Sequence, residues 1–516
     1  MLKSPYVKAC PWKIFLESRV YSKGTCKANS RPIVTVKFNY YMLILLLLIS
    51  NSVQAPNELD LPDIGDSSGS AISPEFERRL GLAFMRSVRR HAVIVDDPEI
   101  ESFIESIGYK LAANSDNNTL AFIFFVVDSP DINAFAAPGG VIGINSGTIL
   151  SSRSESELAA VLAHEIAHVT QRHMARQFER AGQFNVPALA ATLGAILIGI
   201  ANPEAGMVAL AVVTGANVQS QINFTRANEE EADSVGIQLL ARSGYDPQGM
   251  PSFFERLQQK SVFYQGNAPE FLRTHPLTTS RIADSKARAS RYKHVNYVNT
   301  ASYELVRSKI EVNGYKNAKD AVKTFKQRLE NTPTEKKIPV RYGYVLALTK
   351  AGNYYLAREQ LKALLSRDKE NIAYMLAAAH IESAQRNYTA ALGIFQKAYQ
   401  LHPDYRPLVL AYAKTLLDSG QPAQARDLLH HYRRQQEPDP AYYDLLAQAE
   451  AQNGSMANSG IAKAEYFYLT GDTKLAIDRL IHAKREGNLD YYQRERIIAR
   501  ISQLEYELEL EEQLNI

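Results

Sequence analysis

The sequence is nearly free of cysteine: of its 516 residues only Cys10 and Cys26 carry a thiol, and no cysteine follows residue 26. A chain without thiols over most of its length has neither a disulfide scaffold nor a cysteine-ligated metal site. Any metal held by the later part of the chain must therefore be bound through nitrogen and oxygen ligands.

The sequence also lacks a long apolar run near its start. Residues 42–50 (MLILLLLIS) carry no charge but are far too short to cross a bilayer. A basic stretch precedes them, and the small residues Val53 and Ala55 follow, which is the pattern of a secretory signal peptide and its cleavage site. We predict that residues 1–55 are a leader, with a true start possible near Val36, and that the exported chain begins near Pro56.

A strong net charge is absent as well. The formal charge is +3, from 58 basic and 55 acidic residues, but eight of the basic residues and one of the acidic residues lie in residues 1–41. The remainder holds 50 basic and 54 acidic residues, because residues 42–55 are uncharged. A mildly acidic chain lacks the basic surface of a nucleic-acid-binding protein, so we expect no nucleic-acid partner.

Three histidines lie in one predicted helix, ESELAAVLAHEIAHVTQRHMARQFERAG, for which Ser154 is the expected N-cap and Gly182 the expected stop. His164 and His168 are four residues apart, so they share a helical face and both imidazoles reach one ion. H-E-x-x-H on a buried helix predicts a catalytic zinc site in which the intervening acid, Glu165, is the general base.

His173 follows His168 by five residues, about 140° further round a helix. We therefore predict that it is a surface residue and not a ligand. Catalytic zinc with two histidines usually takes a glutamate as its third ligand. Glu229, Glu230 and Glu231 compete for this role in RANEEEADSVGIQLLARSGYDP. We choose Glu229, because Asp233 lies four residues later on the same face and can accept a hydrogen bond from the N–H of a ligand histidine; the other two fit an exposed acidic turn.

Two further elements bear on the site. The segment RTHPLTTSRIAD contains His275 and Arg281. His275 could stabilise the oxyanion, occupy the open zinc position as a latch, or be an ordinary loop residue. Residues 119–127 (TLAFIFFVV) predict a buried strand, and VIGINSG after Gly140 predicts a second one, which we expect to bind substrate backbone by strand addition.

Residues 187–216 hold two apolar blocks separated by Asn202, Pro203 and Glu204. Neither block alone spans a bilayer. The segment fits a pair of buried helices, a membrane-touching hairpin or a lid over the active site.

After about residue 300 the pattern changes to helical repeats. Small residues recur every 34 positions, at Ala357, Ala391 and Ala425. This is the tetratricopeptide period, in which small residues allow helix pairs to stack. A weaker unit surrounds Ala321, and the 51-residue step from Ala425 to Ala476 predicts one extra helix.

The motifs HEIAH, EEEAD, NAFAAPGG and THPLTTSRI make the chain similar to the M48 family of gluzincin metallopeptidases. The resemblance implies an α+β zincin domain with a small sheet; with the α–α repeat solenoid that follows, the chain is mainly α. It also implies one Zn²⁺ per chain, held by His164, His168 and Glu229, with Glu165 as base. By the same resemblance, His275 matches the His-Pro element of the family, and we expect a regulatory or oxyanion-binding role for it.

With the leader and the repeats, the resemblance extends to periplasmic members of that family over residues 56–516. It implies a protease domain over 56–300 and a tetratricopeptide domain over 301–516. It further implies a zinc endopeptidase with a chaperone-like role, which degrades misassembled outer-membrane β-barrel proteins. The repeats are expected to bind the barrel assembly machinery. The alternatives are a periplasmic adaptor or chaperone whose proteolysis is secondary, and a membrane-embedded protease that uses 187–216 as a hairpin.

Overall fold

The computed structural model describes residues 73–515, except for 118–119, 181–185, 203–204, 207–208, 210–217, 264–268, 294, 296, 434–438 and 486–488. The predicted leader, its cleavage site, the helix stop at Gly182 and much of the apolar segment therefore lie outside the described residues. All the described residues belong to one compact unit.

A small mixed sheet forms the centre of the first half. Its strands are β1 (Ile123–Val127), β2 (Ala134–Ala137) and β3 (Val141–Asn145), in the order β1–β3–β2. β3 runs parallel to β1 and antiparallel to β2. A tight turn links β2 to β3, and Gly139 and Gly140 adopt φ of 74° and 76° there, a region that favours glycine.

The sheet corrects one prediction. β1 and β3 match the two predicted strands, whereas β2 was not predicted. Because β3 is hydrogen-bonded on both sides, the prediction that it receives substrate backbone is wrong. The described edge strand that packs against the helix carrying HEIAH is β2.

Helices cover the sheet and build the remainder of this half. They are α1 (Pro74–His91), α2 (Pro98–Ala112), α3 (Ser146–Ser151), α4 (Glu155–Thr170), α5 (His173–Arg180), α6 (Val186–Ala201), α7 (Val218–Arg242), α8 (Gly249–Phe263), α9 (Glu270–Thr274) and α10 (Thr279–Ala289). The core between α2, α4, α7, α8 and the sheet consists of aliphatic and aromatic side chains, of which Leu158, Leu162 and Ile166 on α4 are fully buried.

The predicted long helix is two helices. Its predicted start is confirmed, because the Oγ of Ser154 accepts a hydrogen bond from the Glu157 N–H at 3.2 Å. Its predicted continuity is wrong: α4 ends at Thr170, Arg172 adopts φ of 53°, and α5 begins at His173. A left-handed residue cannot continue a right-handed helix, so the chain changes direction at Arg172.

The second half is a stack of paired helices. They are α11 (Ala301–Gly314), α12 (Ala318–Asn331), α13 (Lys337–Lys350), α14 (Tyr354–Leu365), α15 (Ile372–Ala384), α16 (Tyr388–Leu401), α17 (Arg406–Asp418), α18 (Pro422–Arg433), α19 (Pro440–Gln452), α20 (Met456–Leu469), α21 (Thr473–Arg485) and α22 (Tyr491–Leu514). The small residues Ala357, Ala391 and Ala425 are fully buried on α14, α16 and α18, as the 34-residue period predicts. Ala425 and Ala476 lie three helices apart, which accounts for the longer interval between them.

The repeats pack directly on the first half of the chain. Arg86 of α1 is buried and pairs with Glu511 of α22 at 2.6 Å and with Glu507 at 3.4 Å. Farther along the array, Arg406 of α17 forms an ion pair with Glu101 of α2. Buried charges are stable only when paired, so these contacts fix the repeats against α1 and α2.

The apolar segment is described over residues 187–202 and at positions 205, 206 and 209. Helix α6 packs through Leu189 and Leu193 in a cluster shared with α1 and α22, while Ile198 is 45 % exposed. In the part of the chain that the structure describes, no helix combines the length and the apolar character needed to cross a membrane.

Candidate metal centre

Four side chains converge at the surface of α4 that faces α7. His164, His168, Glu229 and His275 each offer one ligand atom, and these atoms lie within 4.8 Å of one another. The Nε2 atoms of His164 and His168 are 3.1 Å apart, and Nδ1 of His275 lies 3.0 Å from Oε1 of Glu229. The structure thus brings together both histidines of HEIAH, the chosen glutamate and the histidine of the His-Pro segment.

The local fold explains the convergence. His164 and His168 are one helical turn apart on α4, so both rings point the same way. Glu229 comes from α7, which approaches α4 closely at Gly236: a Cβ on this glycine would lie 3.3 Å from the His164 backbone nitrogen and 2.7 Å from Cε of Met250. A larger residue at 236 would therefore push α7 and its glutamate away from the histidines.

A second set of groups holds the first in place. The predicted partner Asp233 has its Oδ1 3.1 Å from Nδ1 of His164. Arg281 lies in the segment RTHPLTTSRIAD with His275, and the sequence predicted no role for it. Its guanidinium donates to both oxygens of Asp233 at 2.8 and 2.9 Å and lies 3.0 Å from Oε2 of Glu229. Two buried acids one helical turn apart, here Glu229 and Asp233, need a cation nearby. This need could have indicated from the sequence that a basic residue such as Arg281 pairs with them.

The electrostatics of the cluster favour a bound cation. Burial disfavours the charged form of His164, but the carboxylates of Asp233 and Glu229 outweigh it and raise its pKa to about 10. Burial would also raise the pKa of Glu229, yet the neighbouring rings of His275 and His164 hold it well below its usual range. Burial lowers the pKa of His168 well below its usual range. The two carboxylates thus stabilise a positive charge at His164, which is a proton in the metal-free site. Because imidazoles bind metal in their neutral form, a metal ion would replace this proton, and the N and O ligand set fits Zn²⁺.

Glu165 lies at the edge of the same cluster. It is 1 % exposed, and its Oε1 is 3.5 Å from Nε2 of His275. Burial raises its pKa, and the rings of His275 and His164 only partly oppose this effect. A carboxyl with a raised pKa beside a metal site suits a group that accepts and returns a proton near neutral pH.

His275 reaches the cluster from the end of α9. Its backbone N–H donates to the Phe271 carbonyl at 2.8 Å, and its ring stacks on Phe271 with centroids 4.8 Å apart. Its Nδ1 is 3.3 Å from Nε2 of His164. Of the three roles considered for His275, this geometry favours the latch, because the nitrogen lies among the ligand atoms.

The surface position predicted for His173 is wrong. It is 4 % exposed, not on the surface, and its Nδ1 lies 2.7 Å from Nδ1 of His168. The turn at Arg172 is the reason, because it ends α4 and lets the ring of His173 lie beside that of His168, with centroids 4.7 Å apart. Glu230 and Glu231 lie within helix α7 and not in a turn; Glu230 is exposed as predicted, whereas Glu231 contacts His173 at 3.0 Å.

Comparisons with known proteins identify two regions of the chain. The model of peptidase family M48 matches residues 98–289, and a tetratricopeptide repeat model matches residues 383–449. The chain is 36 % identical over 446 residues to the β-barrel assembly-enhancing protease of Yersinia pestis. The matched region covers 86 % of this chain and 91 % of that protein. The protein of the same name from Escherichia coli K12 is 35 % identical over 445 residues, with the same coverage. The mitochondrial metalloendopeptidase OMA1 of Arabidopsis thaliana is 30 % identical over 183 residues, 36 % of this chain and 35 % of that one.

Proposed function

Because the chain belongs to the family of the β-barrel assembly-enhancing proteases and carries the metallopeptidase domain of family M48, we propose that it is a periplasmic zinc endopeptidase that degrades misassembled outer-membrane β-barrel proteins. The observation that carries the proposal is the convergence of His164, His168, Glu229 and His275 beside the buried Glu165. The family is metal-dependent; the choice of zinc rests on the nitrogen and oxygen donors.

We assign the metal to His164, His168 and Glu229. Zinc, when bound, supplies the Lewis acidity that polarises a peptide carbonyl. Asp233 orients His164 through its Nδ1, and Arg281 holds both Asp233 and Glu229 in place. These contacts fix the ligands before substrate arrives, which reduces the reorganisation needed during the reaction.

Glu165 moves the proton in the proposed mechanism. Its carboxylate takes a proton from the attacking water and passes it to the nitrogen of the leaving amine. The burial that raises the pKa of Glu165 supports this role, because the acid form must persist long enough to donate. A glutamine at this position keeps the shape of the side chain and cannot carry the proton.

The substrate backbone is proposed to bind along β2. This strand lies at the edge of the described sheet and packs against α4, so an extended peptide added to it would run past the metal cluster. Main-chain hydrogen bonds give such binding little dependence on sequence. This property suits a protease whose clients are unfolded chains.

His275 is proposed to hold the resting site closed. Its Nδ1 lies among the ligand atoms, so it occupies the direction from which a substrate carbonyl would approach. Withdrawal of the segment after α9 would then open the site. Proteolysis of this kind starts only when a client or a partner displaces the histidine.

The repeats are proposed to select clients and to contact the barrel assembly machinery. The support is the tetratricopeptide match, the name of the relatives and the packing of the array on α1 and α2. The apolar segment 187–216 is a further proposed contact, with the membrane surface. Carbonate extraction of the mature protein tests for embedding: quantitative release would exclude an embedded hairpin and leave a peripheral contact.

A second function, that of an adaptor or chaperone whose proteolysis is secondary, is favoured by the position of His275 in the ligand cluster. A Glu165→Gln variant separates the two functions in cells that accumulate a misassembled barrel protein. The endopeptidase proposal expects the client to persist. Full clearance by the variant would show that peptidase chemistry is not the main function.

A further inference from the structure

A buried histidine stands behind one of the proposed metal ligands. His173 is the first residue of α5, and its Nδ1 lies 2.7 Å from Nδ1 of His168, on the side of that ring away from the metal cluster. Its Nε2 lies 3.0 Å from Oε2 of Glu231. Arg176, one turn later on α5, donates to the same oxygen at 2.6 Å. The mechanism above uses none of these three residues.

The contacts determine which ring nitrogen of each histidine carries the proton. His168 faces the metal cluster through Nε2, so a neutral His168 that binds metal there carries its proton on Nδ1. In the described part of the chain, that N–H donates to Nδ1 of His173, which must then be the acceptor. A neutral His173 with a free Nδ1 carries its own proton on Nε2, where Glu231 accepts it. Each contact is satisfied by one arrangement of protons along the chain from His168 to Glu231.

The backbone is shaped to make this contact. An uninterrupted helix would turn His173 away from His168, but Arg172 adopts a left-handed φ of 53° and ends the first helix, and the two rings lie with centroids 4.7 Å apart. This conformation is uncommon for arginine, and such residues cluster at functional sites. Nη2 of Arg172 lies 3.6 Å from Oε2 of Glu77 on α1, which holds the turn from outside.

We propose that His173 is a positioning residue for the metal: with Glu231 and Arg176 it fixes the tautomer and the ring orientation of His168. The proposal rests on the assignment of His168 as a ligand. A histidine ligand whose second nitrogen donates to an oriented acceptor binds metal more tightly, and loss of such an acceptor weakens binding by roughly 10- to 100-fold. Glu231 acts through His173 and Arg176 acts through Glu231, so their effects are smaller.

The test is zinc affinity of the full mature chain, measured by competition of the metal-free protein with a fluorescent chelator. His173→Leu keeps the site buried but removes the acceptor, and we expect a Kd about 10- to 100-fold weaker. His173→Asn places an oxygen near the position of Nδ1, and we expect it to restore most of the affinity. The absorption spectrum of the Co²⁺-loaded protein gives a second readout: the bands of His173→Leu should shift, and those of His173→Asn should return toward wild type.

Glu231→Ala tests the outer end of the chain without disturbing the buried ring, because Glu231 is only partly buried. We expect weaker zinc binding by Glu231→Ala and no change in Glu230→Ala, an exposed neighbour on the same helix. Zinc affinity within twofold of wild type in both His173→Leu and Glu231→Ala would overturn the proposal. Equal weakening in His173→Leu and His173→Asn would overturn it too, since packing and not the acceptor would then be responsible.

His168→Ala separates this proposal from the one on which it rests. If His168→Ala keeps full zinc affinity, the ligand assignment itself is wrong. If His168→Ala loses zinc binding while His173→Leu keeps it, the metal site stands and only the positioning role of His173 fails.

Discussion

Replacement of Arg281 by methionine should destabilise the protein strongly, because this arginine is the cation that neutralises two buried acids. Asp233 and Glu229 are each 3 % exposed, and Arg281 is 3 % exposed itself. The guanidinium makes two hydrogen bonds to Asp233 and one to the Pro276 carbonyl, besides its contact with Glu229. Methionine fills a similar volume but leaves both carboxylates without this partner.

The expected magnitude follows from the burial. Removal of one partner from a buried ion pair typically costs about 3–5 kcal/mol, because an uncompensated charge remains in the interior. We expect a loss of that order in the free energy of unfolding of the metal-free protein. Arg281→Lys keeps the charge, but a single ammonium cannot reproduce the planar fork, so we expect it to recover only part of the loss.

The assay is urea unfolding followed by circular dichroism, with Arg288→Met as the matched control. Arg288 lies on the same helix, is partly buried, and donates one hydrogen bond to a neutral group, Oγ of Ser234, at 2.9 Å. We expect the control to lose under about 1 kcal/mol. Equal midpoints for Arg281→Met and Arg288→Met would refute the reasoning that Arg281 compensates the two acids.

Three further predictions follow from the same structure. Arg86→Met leaves Glu507 and Glu511 buried at the contact between α1 and α22, so limited proteolysis should cut the C-terminal repeats much faster than in wild type; an unchanged rate would contradict the role of this ion pair. His275→Ala should keep bound zinc and cleave an unfolded peptide faster, whereas slower cleavage with zinc retained would favour the oxyanion role over the latch. Burial, with the charge of Asp131, raises the pKa of Glu270 from 4.5 to about 7, so its contribution to stability is complete below pH 4.5 and falls as the pH rises to 7. Glu270→Gln should therefore raise the melting temperature at pH 8 and change it little at pH 4.5. The gain in the free energy of unfolding at pH 8 should be roughly 1 kcal/mol, because solvent screens this partly exposed group. Equal shifts of the melting temperature at both pH values would count against this.

The parts of the site that the sequence predicts are those set by local geometry. His164 and His168 share a helical face whatever surrounds them, and their four-residue spacing is therefore enough to predict that they lie together. The pair of Glu229 and Asp233 follows the same rule on a second helix. The repeats are predictable for a related reason, because each unit buries the same small residues against its neighbours.

The parts that the sequence does not predict depend on distant contacts. The break at Arg172 involves no glycine or proline. The left-handed turn is stabilised by distant contacts, because Glu77 of α1 pairs with Arg172 and Glu231 of α7 contacts His173. The prediction that His173 is exposed assumed that α4 continues through this residue, but α4 ends at Thr170. Strand β2 has the sequence AFAA, whose short alanine-rich run has low intrinsic strand preference; it forms because β3 offers a partner.

Zinc content and peptide cleavage, measured together in the purified wild type, Glu165→Gln and Glu229→Gln, test the assigned ligands and the proton carrier at once. We expect one zinc per chain and cleavage for the wild type. We expect full zinc content without cleavage for Glu165→Gln, because the ligands remain and the proton carrier is lost. We expect weak zinc binding and no cleavage for Glu229→Gln. Cleavage by Glu165→Gln at the wild-type rate, or full zinc content in Glu229→Gln, would show that these residues do not have the proposed roles.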